Sequence, residues 1–300
     1  MLYLLLSILC STALITVFKL FPRFGVDTFG AIVINYFVCV LAGGLYNGQL
    51  FDLGAAYMPY AFILGIIFIS CFYAVGLTVR LFGVTISSVL QKMSLLVSVP
   101  YAIIAFKEPA GSLKIIGLGL AFAAVLASNW PEKLAEGDSR KQERQQYLAQ
   151  GGSLLLLWFF PIYSFSGSGL IEVLLQYVQQ SILGGTEEES AAFTTAIFAS
   201  AGLAGAVVYL YQLLRAKARW SWKNVGGGLA LGIPNYFSIV FLLLAFNVWD
   251  KSVVLPINNI SIVMATALLG LFFFRERLSK INYIGVLLAI FAILLMAYSQ

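Results

Sequence analysis

The sequence predicts an all-α membrane protein of ten transmembrane helices, arranged as two inverted five-helix repeats. Three observations carry that prediction. Apolar residues make up 61% of the 300 and charged residues only 10%. A soluble domain carries roughly 25% charge, so this chain has too few charges to coat a water-facing surface. Ten apolar runs recur along the chain, each close to the ~20 residues that cross a bilayer as a helix. Finally, the second half repeats part of the first.

The runs are 1–18, 28–46, 59–80, 83–106, 113–130, 152–177, 191–214, 225–248, 252–274 and 281–299. The first lacks a basic leader and a small-residue cleavage site, so it is expected to be a retained helix. Most connections are short. The longest polar stretch, Pro131 to Gln150, holds four acids and four bases and reads as a solvated linker or a short surface helix. It divides the chain into a first repeat, 1–130, and a second, 151–300.

A shift of 168 residues lays Phe274-Arg275-Glu276 on Phe106-Lys107-Glu108 and Ile284-Gly285 on Ile116-Gly117. Leu288 and Ala289 then fall on Leu120 and Ala121, Asn259 on Gln91, and Thr266 on Ser98. No gap is needed from the fourth run through the fifth. An odd number of spans per repeat makes the second copy enter the membrane in the opposite direction, giving an inverted repeat.

The basic residues test the span count. Of the 18 Lys and Arg, 14 lie on connections of one side, Lys107, Lys114 and Lys251 lie on the other, and Lys92 falls inside a run. The positive-inside rule places the richer side in the cytoplasm and both termini outside. The net charge of +5 is therefore a topology signal, and no nucleic-acid partner is expected. The chain has no histidine and three cysteines without CxxC spacing. No metal, cofactor or disulfide framework is indicated.

Phe106-Lys107-Glu108-Pro109 followed by Ile116-Gly117, and Phe274-Arg275-Glu276 followed by Ile284-Gly285, resemble the repeat-closing pattern of EamA-type members of the drug/metabolite transporter superfamily. The resemblance extends over the whole chain, with Pro100 where the first repeat usually has its proline. It departs at Leu268, the mate of Pro100. It departs also in topology, because such proteins usually keep both termini in the cytoplasm. The resemblance implies ten helices and an inner-membrane exporter of amino acids or related metabolites.

Lys92 lies about ten residues into the fourth run, where an ammonium costs about 2.5–3.5 kcal/mol on insertion scales. It either meets an anionic substrate group, exchanges a proton, or is paired to a neighbouring helix. Ser87, Gln91, Ser94 and Ser98 share its helix at spacings that place them on one face. The ninth run answers with Asn258, Asn259, Ser261 and Thr266. Such groups must face protein or a cavity in hydrocarbon. A central substrate site and plain interhelical hydrogen bonding both satisfy that demand.

Glu172 follows the small-residue run Ser164 to Gly169. Near the interface it is a solvated carboxylate; deeper, it can pair with Lys92, bind an amino group or take up a coupling proton. Further lining candidates are Asn35 and Tyr36, Tyr73, and Asn235 and Tyr236, with helix packing as the rival role. Pro100, Pro161, Pro234 and Pro256 fall inside runs as hinges or static bends. Gly43, Gly44, Gly202, Gly205 and Gly226 to Gly228 allow close helix approach. Glu108 and Glu276 are expected to cap helices or pair on the surface.

No Walker-type segment occurs, so ATP hydrolysis is not expected. An intramembrane enzyme lacks its nucleophile–base pair or metal ligands. The expected partners are a small-molecule substrate and the lipid bilayer, with a monomer plausible. A flippase for a lipid-linked substrate and a non-transporting membrane subunit remain the alternatives.

Overall fold

The computed structural model describes residues 2–48, 50–82, 94–109, 111–128, 153–215, 220–272 and 280–298. Among them the regular structure is helical: α1 (Leu2–Phe24), α2 (Thr28–Asn47), α3 (Met58–Phe82), α4 (Leu95–Ala105), α5 (Ser112–Ser128), α6 (Leu154–Ser181), α7 (Glu187–Leu214), α8 (Trp222–Val248), α9 (Lys251–Phe272) and α10 (Lys280–Tyr298). Each expected run overlaps one of these helices, although α1 extends past its run to Phe24 and α4 occupies only the end of the run 83–106. The linker 131–150 and the segment 83–93 lie outside the described residues.

Local signals set several boundaries. Asp27 caps α2 by accepting from the Gly30 N–H, and Gly48 ends that helix in the left-handed conformation at φ 67°. A glycine tolerates this because it has no Cβ to clash. Thr186 caps α7 by accepting from Glu189 N–H, with Glu187, Glu188 and Glu189 in the first turn, where the helix dipole favours negative charge. Ser221 does the same for α8 by accepting from Lys223 N–H.

The distribution of polarity is turned inside out relative to a soluble protein. Leu45, Ile104, Leu214 and Trp222 are more than three-quarters exposed, whereas Ser7, Asn35, Thr194, Thr195, Gln176 and Asn259 are buried. Apolar surface of that extent marks contact with lipid or a partner. Among the described residues, four helical segments are long and apolar enough to cross a membrane: α2, Met58–Val75 of α3, α7 and α8. The apolar stretches Leu2–Val17, Leu95–Ala105, Ser112–Ala124 and Lys251–Ala265 are shorter.

Residues group into two compact units. The first comprises Met1–Ile69 and Leu174–Trp249, the second Ser70–Val173 and Asp250–Gln300. Each draws on both halves of the sequence, because α3 and α6 pass from one unit to the other partway along their length. The halves 1–130 and 151–300 thus describe an expected repeat, while the compact units interleave them.

In the first unit α2 packs against α7 and α8, and α1 runs along α8. Glycines make the α2–α8 seam. A Cβ on Gly228 would lie 2.5 Å from Ile34 Cγ2 and 3.0 Å from the Asn35 nitrogen; one on Gly232 would lie 2.4 Å from Val38 Cγ1 and 3.1 Å from the Asn35 carbonyl. This is the small-xxx-small spacing that lets membrane helices approach closely. Gly202 and Gly205 of α7 face Tyr36 and Val33 of α2 in the same manner, whereas Gly226 has nothing near it.

In the second unit α5 lies along α10, α4 along α9, and α9 also touches α5 and α10. The end of α3 meets the start of α6 through hydroxyls and a thiol. Ser70 and Tyr163 hydroxyls lie 2.7 Å apart, Thr78 and Ser164 hydroxyls 3.3 Å, and Cys71 Sγ lies 3.7 Å from Ser168 Oγ.

Candidate functional site

The best-defined polar centre belongs to the second unit. Small residues on α6 create the room for it. Gly167 faces Cys71 of α3, and a Cβ on Gly169 would stand 3.1 Å from Val97 Cβ of α4. With Val97 set against Gly169, antiparallel register brings Ser94 to Glu172. Ser94 Oγ donates to Glu172 Oε1 at 3.0 Å. From α9, Asn259 Nδ2 donates to the same oxygen at 3.2 Å. Ser94 and Asn259 are buried and Glu172 is half-buried. Hydrogen bonds to a charged acceptor are about twice as strong as neutral ones, so two donors on one oxygen fix the direction of the carboxylate. The solvated-carboxylate reading of Glu172 does not hold here.

Asn258 is buried beside Asn259, and Ser261 is half-buried one turn further. Ser98 is buried on α4 one turn after Ser94. Tyr73, also of the second unit, is 50% exposed. Lys92, Gln91, Ser87 and the Thr266 side chain lie outside the described residues.

The remaining sequence candidates fall in the first unit, where they are bonded to one another. Asn235 Nδ2 donates to Asn35 Oδ1 at 3.2 Å, joining α8 to α2. Cys39 Sγ donates to the Gly232 carbonyl at 3.2 Å. The Tyr36 ring stacks on Phe198 with centroids 5.7 Å apart. Tyr236 donates to the Ala191 carbonyl at 3.1 Å and accepts from Thr195 at 3.3 Å. Tyr36 and Tyr236 are fully buried. These four residues therefore have the contacts of helix-packing groups, with partners supplied by the protein itself.

A third polar cluster was only partly anticipated. Glu108, in the α4–α5 turn, accepts from the backbone N–H groups of Lys251 and Ser252 at 2.9 Å each, capping α9 from outside its own chain segment. This is the capping role expected of it; Glu276 lies outside the described residues. Lys114, buried in the first turn of α5, donates to Asp250 Oδ2 and Ser252 Oγ at 3.0 Å each. The Lys251 ammonium lies 4.9 Å from the Phe106 ring centre. A lysine inside the apolar start of α5 was the available signal, but sequence spacing alone did not name Asp250 as its partner. Among the described residues no group of His, Cys, Asp and Glu could hold a metal ion.

No family model matches the chain. A Haemophilus influenzae protein described only as an uncharacterized protein is 28% identical over 305 residues, covering 98% of this chain and 97% of its own length. A solved crystal structure aligns with a TM-score of 0.73 at 12% identity, covering 99% of this chain and 96% of the other. Identity that low speaks to the fold alone, and it extends that likeness to nearly the whole length of both chains. Fold and polarity together define an all-helical protein with helices of membrane-spanning length and composition.

Proposed function

We propose that the chain is a secondary transporter of the EamA type. It moves small polar metabolites, amino acids or related compounds, across a bacterial inner membrane by alternating access. The direction is export, with an ion gradient or exchange as the driving force. Ten transmembrane helices in two inverted repeats form the frame of this reading. Helix packing supports it: α2 with α7, α4 with α9, and α5 with α10 each join the same position of the two halves. A duplicated protein is expected to pair its elements in that way.

The observation that carries the reading is Glu172, held by Ser94 and Asn259. An ionisable group among membrane helices is expensive and marks a substrate or ion pathway by default. Its neighbours come from α4, α6 and α9, and Asn259 is the repeat mate of Gln91. Glu172 serves as the coupling or amine-binding group. Lys92, Gln91, Ser94, Asn258, Asn259 and Ser261 bind substrate, with Tyr73 as a stacking surface.

The test is uptake and efflux of labelled metabolites by reconstituted vesicles, with and without a pH gradient. The reading expects at least one amino acid or related compound to cross at a rate that empty vesicles lack. It expects Lys92→Met to abolish that rate while the protein still inserts. A panel without any transported compound, in vesicles of intact protein, would sink it.

A further inference from the structure

We propose that Phe106, Glu108 and Lys114 with Asp250, Lys251 and Ser252 form an ionic latch closing one mouth of the carrier, and that it opens by bending of α4 and α9 at Pro100 and Pro256. This rests on the transporter reading and adds to it the gate of the polar centre around Glu172.

The latch joins the end of α4 and the start of α5 to the start of α9. The Glu108 carboxylate binds the two N–H groups of Lys251 and Ser252. Lys114 binds Asp250 and Ser252, and Lys251 rests against Phe106. Lys114 is 2% exposed and Lys251 5%. An ammonium so placed is stable with its partners or in water, and costly anywhere between. A cluster of this kind therefore has two favourable arrangements, closed and hydrated, rather than a graded series.

Its position fits a gate. Along α9, Lys251 stands eight residues before Asn259, or about 12 Å at the rise of an α-helix. Along α4, Phe106 stands twelve residues after Ser94, about 18 Å by the same measure. Both helices that supply a donor to Glu172 thus run outward into the latch. Each carries a proline between the two places, Pro100 in α4 and Pro256 in α9. A proline removes one helix hydrogen bond and permits bending at that turn. The sequence adds a further point. Lys107, Lys114 and Lys251 are the only basic residues on connections of their side, and two of the three are spent inside this cluster.

The test reads access to Ser98, which is buried in α4 between Ser94 and Pro100. Ser98→Cys is introduced in a background with Cys10, Cys39 and Cys71 replaced by alanine. A charged, membrane-impermeant thiol reagent is added to right-side-out and inside-out vesicles in turn. Lys107→Cys, at an exposed position, identifies which face carries the latch. With the latch intact, Ser98→Cys reacts slowly from that face. Lys114→Met or Asp250→Asn is expected to raise its rate from the latch face at least about tenfold, as a modest change in the balance of two conformers produces. Lys114→Arg is expected to restore the slow rate. An unchanged rate in Asp250→Asn, a partly exposed position that tolerates substitution, overturns the proposal. So does an equal rise from both faces, which reports general loosening. Labelling needs no transported compound. Unchanged labelling in a protein that transports removes the latch alone; a latch-dependent rate in a protein that transports nothing removes the carrier reading alone.

Discussion

The two compact units solve the same problem by different means. Both bury polar side chains among apolar helices, where an unsatisfied group is costly. The first unit closes its polar groups on themselves. Asn35 bonds Asn235, Tyr236 bonds Thr195 and Ala191, and Ser7 Oγ donates to the Ser238 carbonyl at 2.9 Å. The second unit converges its polar groups on charge, at Glu172 and at the Lys114–Asp250 pair. Polarity buried among apolar helices is therefore not by itself a sign of a site. Neutral partners of equal and opposite need act as cement between helices. Donors gathered on one carboxylate hold a group that can change charge.

Substitutions can break or sharpen that contrast. The largest effect is expected at Glu172→Gln, which keeps shape and removes charge. Loss of charge-assisted bonds of up to about 3 kcal/mol corresponds to a transport loss of roughly a hundredfold. The residual rate is expected to lose its dependence on pH, and a wild-type pH profile in vesicles would count against coupling at this residue. Next comes Gly232→Val in the first unit. The added methyls have no room against Val38 and the Asn35 carbonyl, so stability in detergent is expected to fall by about 1–3 kcal/mol. Thermal unfolding measures it; no change would show that the α2–α8 seam is looser than drawn.

Asn235→Leu is expected to cost about 1–3 kcal/mol by stranding Asn35, while Asn35→Leu with Asn235→Leu recovers much of it. Transport by the double variant is expected to remain near wild type, because the pair is cement; its loss would move both residues into the site. The smallest effect is expected at Ser94→Ala, which removes one of two donors to Glu172. It should lower transport by about fivefold, near 1 kcal/mol, with little change in unfolding temperature.

Several helices were legible in the sequence to within a few residues. Runs 28–46 and 225–248 correspond to α2 and α8, because apolar length is a local property, while the caps Asp27 and Ser221 were not read from the sequence. Part of the site was legible too. Glu172 and Asn259 stand out because ionisable and amide groups are rare in such runs. Their meeting on one oxygen was not legible, since nothing in spacing along α6 and α9 says which faces oppose. The same gap separates Asn35 from Asn259. Both are asparagines inside apolar runs, yet one packs against another amide and the other against a carboxylate.

The sequence by itself determined that this chain forms apolar helices, where most of them begin and end, and that a few polar groups must be carried inside them. Those are consequences of hydrocarbon transfer and of backbone hydrogen bonding within one segment. Only the tertiary structure decided the partners. Which helix faces which depends on glycines admitting a neighbour at Gly169 or Gly232, and on packing between residues far apart in the chain. The roles of Asn235, Glu108 and Lys114 follow from those meetings, because a polar group takes its function from the charge and burial of what it touches.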